Sequence, residues 1–454
     1  MQKFNIYHSL QWLSVPCGFC CCFLGASIPY ISGIIHLEII ENFDITDVQA
    51  AWAGSLFNSM LMLSCPVGSL LANTFSCRVC IMTGSVVGLI GFVLTSLTEN
   101  IYIIYVTYGL IAGTSQSLIY TGVLVSVGYY FDKGRSIATG MVVNGCGVAM
   151  LALPPIMQQC VSSFGIHGTF RLIGAAFFQC AVFGALMRPN NVEMNRKMEN
   201  KTKNTKELYD NQCVRLGKSV RNSLSTLGNV EFFLFCLSTF CWNVSFNISY
   251  LYFPKYFKTN GVSKLDVSYL ISATGIGNIC GRYLIGLAAS DHEIDSRLLF
   301  FGQFSLIGIF TLFLPFLKSF TIQFVYMTAF GLYTGSVWIL QTVILVELVS
   351  LSNLASGFGI VMFCGGFGQL AVPLLAEILE NDNHDNVPDI DLPKAFAVSG
   401  SLYILSAILC ALTARKSSSK YSSVTNLSHG DEKKKTNDIE LNDDLEMELF
   451  IEKR

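Results

Sequence analysis

The sequence predicts an all-α polytopic membrane protein, and three observations carry this prediction. Hydrophobic residues make up 52% of the 454 residues, whereas only 13% are charged. The apolar residues fall into long stretches, each near the roughly 20 residues that a helix needs to cross a bilayer. One extended polar segment, residues 189–231, interrupts them near the middle of the chain. Soluble globular domains, with about 25% charged residues, do not have this balance.

About twelve membrane spans follow one another along the chain. We place them at residues 11–35, 50–72, 79–98, 102–130, 136–159, 170–188, 232–256, 267–288, 297–317, 321–348, 354–378 and 394–413. The start of the chain lacks a cleavage site, so the first span is expected to act as its own insertion signal.

The polar segment divides these spans six and six. The predicted domains are an N-terminal six-helix bundle (1–188), a cytosolic central loop (189–231), a C-terminal six-helix bundle (232–413) and a disordered cytosolic tail (414–454). The tail is expected to be disordered because it has too little apolar surface to offset chain entropy.

The distribution of basic residues predicts the orientation. If both termini are cytosolic, 22 of the 29 Lys and Arg residues lie on the inner side and six lie on the outer side. This bias follows the positive-inside rule. We therefore predict an integral membrane protein with cytosolic termini, placed most naturally in the plasma membrane. The net charge of −2 is spread over the loops and gives no support for a nucleic-acid partner.

Glycine and proline cluster at corresponding places in the two halves. The fifth span contains Gly140, Gly145, Gly147, Pro154 and Pro155, and the eleventh contains Gly365, Gly366, Gly368 and Pro373. Small residues let helices approach closely in lipid. Paired irregularities in equivalent helices indicate a transporter built from repeats. Ordinary tight packing explains each glycine singly but explains the pairing less well.

Several segments closely resemble the monocarboxylate transporter family of the major facilitator superfamily. Residues 129–147 read YYFDKGRSIATGMVVNGCG, preceded by YGLIAG at 108–113 and followed by LPP at 153–155. Further matches are VQAAW at 48–52, SCPVG at 64–68, GALMRP at 184–189 and VELV at 346–349. The resemblance implies two six-helix bundles that rock around a central site by alternating access. It also implies a gating or packing role for Lys133 and Arg135, together with the glycines and prolines of the fifth span.

The chain departs from this family at positions that matter for coupling. Only Trp12 remains of the acidic–Gly–Gly–Trp–Gly–Trp segment that opens the first helix in most members. Proton-coupled lactate carriers of the family use a lysine after a proline in the first helix, and an aspartate one turn before an arginine in the eighth. Here Tyr30 follows Pro29, and Asn278 precedes Arg282. The arginine is present, but the lysine and the aspartate are not.

Arg282 is the one basic side chain that we place well inside a predicted span. A charge there costs about 2.5 kcal/mol or more, so it is expected to face a cavity and meet a partner. Asn278 lies one turn away on the same helix face but is neutral. We predict that a substrate carboxylate pairs with Arg282, because a guanidinium binds carboxylates in a bidentate manner. The alternatives are a permanent salt bridge, for which Glu347 is a candidate, and carbonyl contacts that only brace the helix.

The predicted substrate site comprises Arg282, Asn278, Tyr30, Phe246 and Tyr250. The aromatic residues are expected to contact an apolar substrate body, although they equally suit a role in filling space between helices. Tyrosine and asparagine do not change charge near neutral pH, so we predict facilitated transport without proton coupling. His36 is the alternative proton carrier.

The membrane potential bears on the kind of substrate. Moving a monoanion inward without a proton costs about 2.3 kcal/mol per 100 mV. A zwitterion such as an aromatic amino acid avoids this cost and is therefore a rival to a simple monocarboxylate.

Two other classes of function are less well supported. We find no nucleophile–base pair, phosphate loop, metal-ligand cluster or cofactor motif, which argues against an enzyme. The cysteines at positions 17, 20, 21 and 22 lie in an apolar span and are predicted to act as small apolar residues. A non-transporting sensor on a carrier fold is the second alternative. Some members of the family need a single-span glycoprotein companion, and the resemblance admits such a partner here.

Overall fold

The computed structural model describes residues 2–43, 45–131, 135–187, 229–288, 294–349, 354–381 and 389–413, and nearly all of them are helical. The helices of the first half are α1 (Gln2–Gly25), α2 (Ser32–Phe43), α3 (Asp47–Leu63), α4 (Cys65–Thr74), α5 (Cys77–Thr95), α6 (Ile101–Ile104), α7 (Gly113–Tyr130) and α8 (Arg135–Leu186). Those of the second half are α9 (Val230–Thr259), α10 (Lys264–Ala288), α11 (Ser296–Phe313), α12 (Phe320–Gly335), α13 (Val337–Leu348), α14 (Leu354–Leu370), α15 (Val372–Ile378) and α16 (Leu392–Leu412).

Short irregular segments complete the fold. A 3-10 turn (Ile28–Ile31) joins α1 to α2, and a π-helical segment (Tyr105–Ala112) joins α6 to α7. A second 3-10 turn (Leu314–Phe316) follows α11. Two antiparallel strands, β1 (Glu380–Asn381) and β2 (Asp389–Ile390), lie between α15 and α16.

In the described part of the chain, nine helices are long and apolar enough to cross a membrane, and ten if α3 and α4 count as one bent span. Helix α8 is long enough for two crossings, since about 20 residues suffice for one. Helix α10 lies outside this group but corresponds to the predicted eighth span. If α3 and α4 count as one span and α8 as two, and if α10 is included, the helices follow the twelve predicted spans in order.

The segment between the fifth and sixth spans differs from prediction, because no loop separates the two helices there. Helical backbone extends from Arg135 to Leu186 except at Gly165, where φ is 67° and ψ is 178°, so α8 consists of two helical segments joined by a kink. Glycine adopts this left-handed conformation without the steric cost that a side chain imposes. Pro154 and Pro155 lie inside the helix without breaking it. The kink therefore falls at Gly165.

The predicted central loop and tail lie almost wholly outside the described residues, so the domain boundaries remain predictions. For description, we call residues 2–187 the N half and residues 229–413 the C half.

Helix starts are fixed by side chains that accept hydrogen bonds from free backbone N–H groups. At α3, Thr46 and Gln49 form a capping box, with Oγ1 of Thr46 accepting from the Gln49 amide at 3.3 Å. Asn229 caps α9, and Asp391 caps α16. These polar residues fix where α3, α9 and α16 begin.

The two halves meet mainly along four helix pairs, one of which joins α3 to α15. Helix α2 packs on α9, α3 packs on α14, and α8 packs on α10. Glycines make the close approaches: a Cβ at Gly33 of α2 would clash with the Tyr250 carbonyl oxygen of α9. Likewise, a Cβ at Gly275 of α10 would lie 2.8 Å from Cα of Leu151 in α8. The predicted site residues lie along these contacts.

Candidate functional site

Glycines on α10 set the position of Arg282. Gly277 and Gly281 face α12, where an added Cβ would lie 2.6 Å from the Leu332 nitrogen and 2.9 Å from its carbonyl carbon, respectively. Gly335 of α12 leaves room for Asn278, since a Cβ there would lie 2.7 Å from the asparagine Cα. This tight packing fixes α10 and holds Asn278 and Arg282 at the contact with the N half.

Arg282 reaches across to the N half. Its Nη1 donates a hydrogen bond of 2.7 Å to the carbonyl oxygen of Val143 in α8, and the residue is only 7% exposed. The Tyr30 side chain also interacts with Arg282. The Arg282 Nε and the Asn278 Oδ1 are buried and have no hydrogen-bond partner in the structure. The buried Arg282 guanidinium therefore keeps an N–H group that can still donate a hydrogen bond.

No carboxylate of the described residues lies within ion-pair distance of Arg282. Glu347, the predicted candidate for a permanent partner, instead lies 3.5 Å from Nε of Arg297. Arg297 is itself buried and donates to the Thr413 carbonyl oxygen at 2.9 Å. Arg282 is therefore not the single buried arginine. The difference is that Arg297 has an acidic partner, whereas Arg282 has none in the part of the chain that the structure describes.

The three predicted aromatic residues lie together beside Arg282. Ring centroids of Tyr30 are 6.0 Å from Phe246 and 5.6 Å from Tyr250, both in edge-to-face geometry. Phe246 and Tyr250 are 4.5 Å apart. Tyr30 belongs to the N half and the other two to α9, so this aromatic cluster spans the halves. All three side chains are buried.

Two tryptophans extend this cluster and were missed from the sequence. Trp242 lies 5.9 Å from Phe246 and 5.6 Å from Trp338, and Trp338 also interacts with Tyr30. Trp242 lies four residues before Phe246 and eight before Tyr250, so all three share one face of α9. This spacing could have predicted from the sequence that Trp242 belongs to the aromatic cluster. Trp338 in α13 carries no comparable signal, because only the fold brings α13 to this place.

The discontinuity in the first helix positions Tyr30. Pro29 lies in the 3-10 turn Ile28–Ile31, and the hydroxyl of Ser32, the first residue of α2, donates to the Pro29 carbonyl oxygen at 2.8 Å. Broken helices at midmembrane depth are typical of transporter substrate sites.

The fifth-span residues lie at different contacts. A Cβ at Gly145 would lie 3.2 Å from Cβ of Cys22 in α1, and one at Gly147 would lie 2.9 Å from the Ile279 side chain in α10. Gly140 has open space around it. Lys133 lies outside the described residues, as does the side chain of Arg135.

This arrangement suits an organic anion with an apolar body. A guanidinium with unused donors offers a place for a carboxylate, and aromatic faces beside it offer apolar contact and cation–π attraction for an ammonium group. The described residues contain no group of His, Cys, Asp and Glu side chains that could hold a metal ion.

Comparison with known proteins agrees with this geometry. A profile of the Major Facilitator Superfamily matches residues 17–373. Monocarboxylate transporter 12 of Xenopus laevis is 27% identical over 391 residues, covering 84% of this chain and 83% of that protein. Monocarboxylate transporter 2 of Homo sapiens is 26% identical over 382 residues, covering 81% and 79%.

The crystal structure of a mutant of the nucleoside transporter NupG has a TM-score of 0.69 at 12% identity, covering 89% of this chain and 99% of that one. Its similarity concerns the fold alone. These findings confirm the predicted all-α membrane fold and the resemblance to monocarboxylate transporters.

Proposed function

Because the chain belongs to the Major Facilitator Superfamily, we propose that this membrane transporter carries monocarboxylates or related small carboxylate-bearing solutes. Transport occurs by alternating access and is facilitated, without proton coupling. Arg282 binds the substrate carboxylate, while Tyr30, Phe246 and Tyr250 contact its body. The similar proteins from Xenopus laevis and Homo sapiens are transporters, and this protein is likewise a carrier and not an enzyme.

The observation that carries this proposal is the buried Arg282 without an acidic partner among the described residues. Its Nη1 donates to the Val143 carbonyl oxygen, which carries no net charge, so no described residue neutralises the guanidinium. A cation buried in this way is costly, and a carboxylate that arrives with the substrate removes part of that cost. The Arg297–Glu347 pair supports the argument, since the fold does neutralise its other buried arginine.

The direct test is flux of labelled lactate, pyruvate and an aromatic amino acid in expressing cells, with and without an imposed proton gradient. We expect saturable flux of at least one of these solutes that the gradient does not stimulate. Stimulation of lactate flux by the gradient would contradict uncoupled transport and direct attention to His36. Absence of flux for all three would contradict the proposed substrate class.

A zwitterionic or aromatic amino-acid-like substrate is the second candidate, and the aromatic cluster favours it. The cluster places ring faces from both halves beside the arginine, so that a carboxylate and an ammonium or aromatic group can be bound at the same time. A zwitterion also crosses without working against the membrane potential. Gradient-insensitive flux of the amino acid, with no lactate movement, would select this candidate.

Phe246→Ala separates substrate recognition from packing. We expect the KM of an aromatic substrate to rise about three- to tenfold, since an aromatic pair contributes about 0.5–1.5 kcal/mol. The KM of lactate should change less, because lactate has no ring. Phe233→Ala, on an exposed position of the same helix, is the matched control and should change neither value. Equal losses for both solutes in Phe246→Ala would mean that the ring only fills space.

Residence in the plasma membrane with cytosolic termini is also part of the proposal, supported by the basic residues that favour one side. Epitope tags at each terminus, detected with and without permeabilisation, test the orientation. A single-span glycoprotein companion stays a prediction, and co-purification from expressing cells tests it.

A further inference from the structure

Charges of opposite sign from the two halves meet at one end of the protein. The acidic residues belong to the N half, namely Glu38 and Glu41 of α2 and Asp47 of α3. The basic residues belong to the C half, namely Lys255 and Lys258 of α9 and Lys264 of α10. We call these six residues the charge cluster. Every ion pair within it joins one half to the other.

The pairs differ in burial. Lys255 pairs with Asp47, and their side chains are only 12% and 5% exposed. Lys258 pairs with Glu41 in a more exposed position. Lys264 Nζ lies 2.7 Å from carboxylate oxygens of both Glu38 and Glu41. The Lys255–Asp47 pair is therefore the one whose disruption should matter most, since a buried charge that loses its partner is strongly destabilising.

A layer of polar side chains lies deeper, between α3, α9 and α14. Asn247 Nδ2 donates to Ser55 Oγ at 2.9 Å and to the Gln369 carbonyl oxygen at 2.8 Å, while its Oδ1 accepts from Asn58 Nδ2 at 2.8 Å. Ser55 and Asn58 belong to α3 in the N half, whereas Asn247 and Gln369 belong to the C half. All four are buried. Polar contacts thus continue from the charge cluster toward the interior.

We propose that the charge cluster is the external gate of the carrier, and that its ion pairs hold the outer side closed in this conformation. The proposal rests on the proposed function, because alternating access requires each side to close in turn. The charge cluster lies on the side of the membrane that the distribution of basic residues predicts to be extracellular. Ion pairs suit a gate because water solvates the separated charges when the halves part, which it does not do for apolar surfaces.

The alternative is that these pairs only stabilise the folded protein. A gate residue changes the balance between closed and open states, whereas a structural residue changes folding. The two roles differ in whether the layer beneath the cluster becomes accessible to water from outside. Ser55 reports on this, because it is fully buried and lies eight residues after Asp47, or about 12 Å along the helix axis.

The test uses the full-length protein with Ser55→Cys as a probe and a membrane-impermeant maleimide applied to intact cells. The protein without the probe cysteine corrects for labelling of native cysteines. With the native charge cluster, labelling should be slow. Adding Lys255→Met should raise the labelling rate by about tenfold or more, since Asp47 loses its buried partner. Lys255→Arg, which keeps the charge, should restore slow labelling.

Lys394→Met is the matched control. Lys394 pairs with Asp391 at 2.8 Å on the same predicted side, but both residues belong to the C half. This variant removes the same charge without touching a contact between halves and should leave labelling unchanged. If Lys255→Met fails to reach the surface, Glu41→Gln provides the test at a more exposed position, with an expected rise of about twofold to fivefold.

Unchanged labelling in both Lys255→Met and Glu41→Gln at normal surface levels would overturn the proposal. A rise seen only with a membrane-permeant maleimide would overturn the external placement of the gate. The assay needs no substrate, so it separates this inference from the proposed function. Faster labelling in a protein that moves no carboxylate would support the gate and contradict the substrate assignment.

Discussion

Replacing Arg282 with leucine is expected to reduce carboxylate flux by about 100-fold, because truncating one member of a buried charge pair costs about 2–5 kcal/mol or more. Leucine fills similar space but cannot bind a carboxylate. Arg282→Lys should retain partial flux, since an ammonium keeps the charge but lacks the planar fork of donors. The measurement is initial uptake of labelled substrate, normalised to the amount of protein at the cell surface.

The neighbouring residue supplies the control for this experiment. Tyr283 lies on the same helix with an exposed side chain, so Tyr283→Leu should transport normally. If Arg282→Leu reaches the surface and also transports normally, Arg282 does not bind substrate. Its hydrogen bond to the Val143 carbonyl oxygen would then only brace α10 against α8.

Replacing Gly277 with valine is expected to prevent α10 from packing against α12. A Cβ at this position would lie 2.6 Å from the Leu332 nitrogen and still closer to the Thr328 carbonyl oxygen. Both neighbours are backbone atoms, which cannot move aside as the end of a flexible side chain can. Overpacking typically costs about 1–3 kcal/mol, and a backbone clash belongs at or above the upper end. We expect a large fall in surface level and in the melting temperature of the purified protein.

Gly302→Ala is the matched control, because a Cβ there has no neighbour within 4 Å. It should leave the melting temperature unchanged or raise it slightly, since alanine favours a helix over glycine. Gly277→Ala tests the steric argument with the smallest possible change. Equal melting temperatures for Gly277→Ala and Gly302→Ala would show that the two helices relax apart without cost.

The helical fold was predictable because bilayer thickness constrains each span locally. Span length, apolar composition and polar loops can be read without knowing which helices touch. Residues 160–169, which lie between the fifth and sixth predicted spans, are instead helical apart from Gly165. A single glycine can interrupt a helix, and Gly165 does so without the polar loop that normally marks the end of a span.

The candidate site was predictable only in part. Arg282 stands out because a charge in an apolar span is costly wherever its helix packs. The separation between Tyr30 and Phe246 along the chain is large, and their contact depends on how α9 meets the broken first helix. Glu347 is a residue whose partner could not be predicted from the sequence. Its charge suits either arginine, and only the packing of α11 beside α13 brings it to Arg297.

By itself, the sequence determined the membrane class, the order of the helices, the side that the basic residues favour and the presence of a guanidinium, that of Arg282, well inside a span. These depend on properties of single segments in contact with lipid or water. The tertiary structure alone decided that Arg282 has no acidic partner among the described residues, that tryptophans complete the aromatic cluster, and that lysines of one half meet carboxylates of the other. Such pairings depend on which helix faces meet, and many distant residues jointly set that packing.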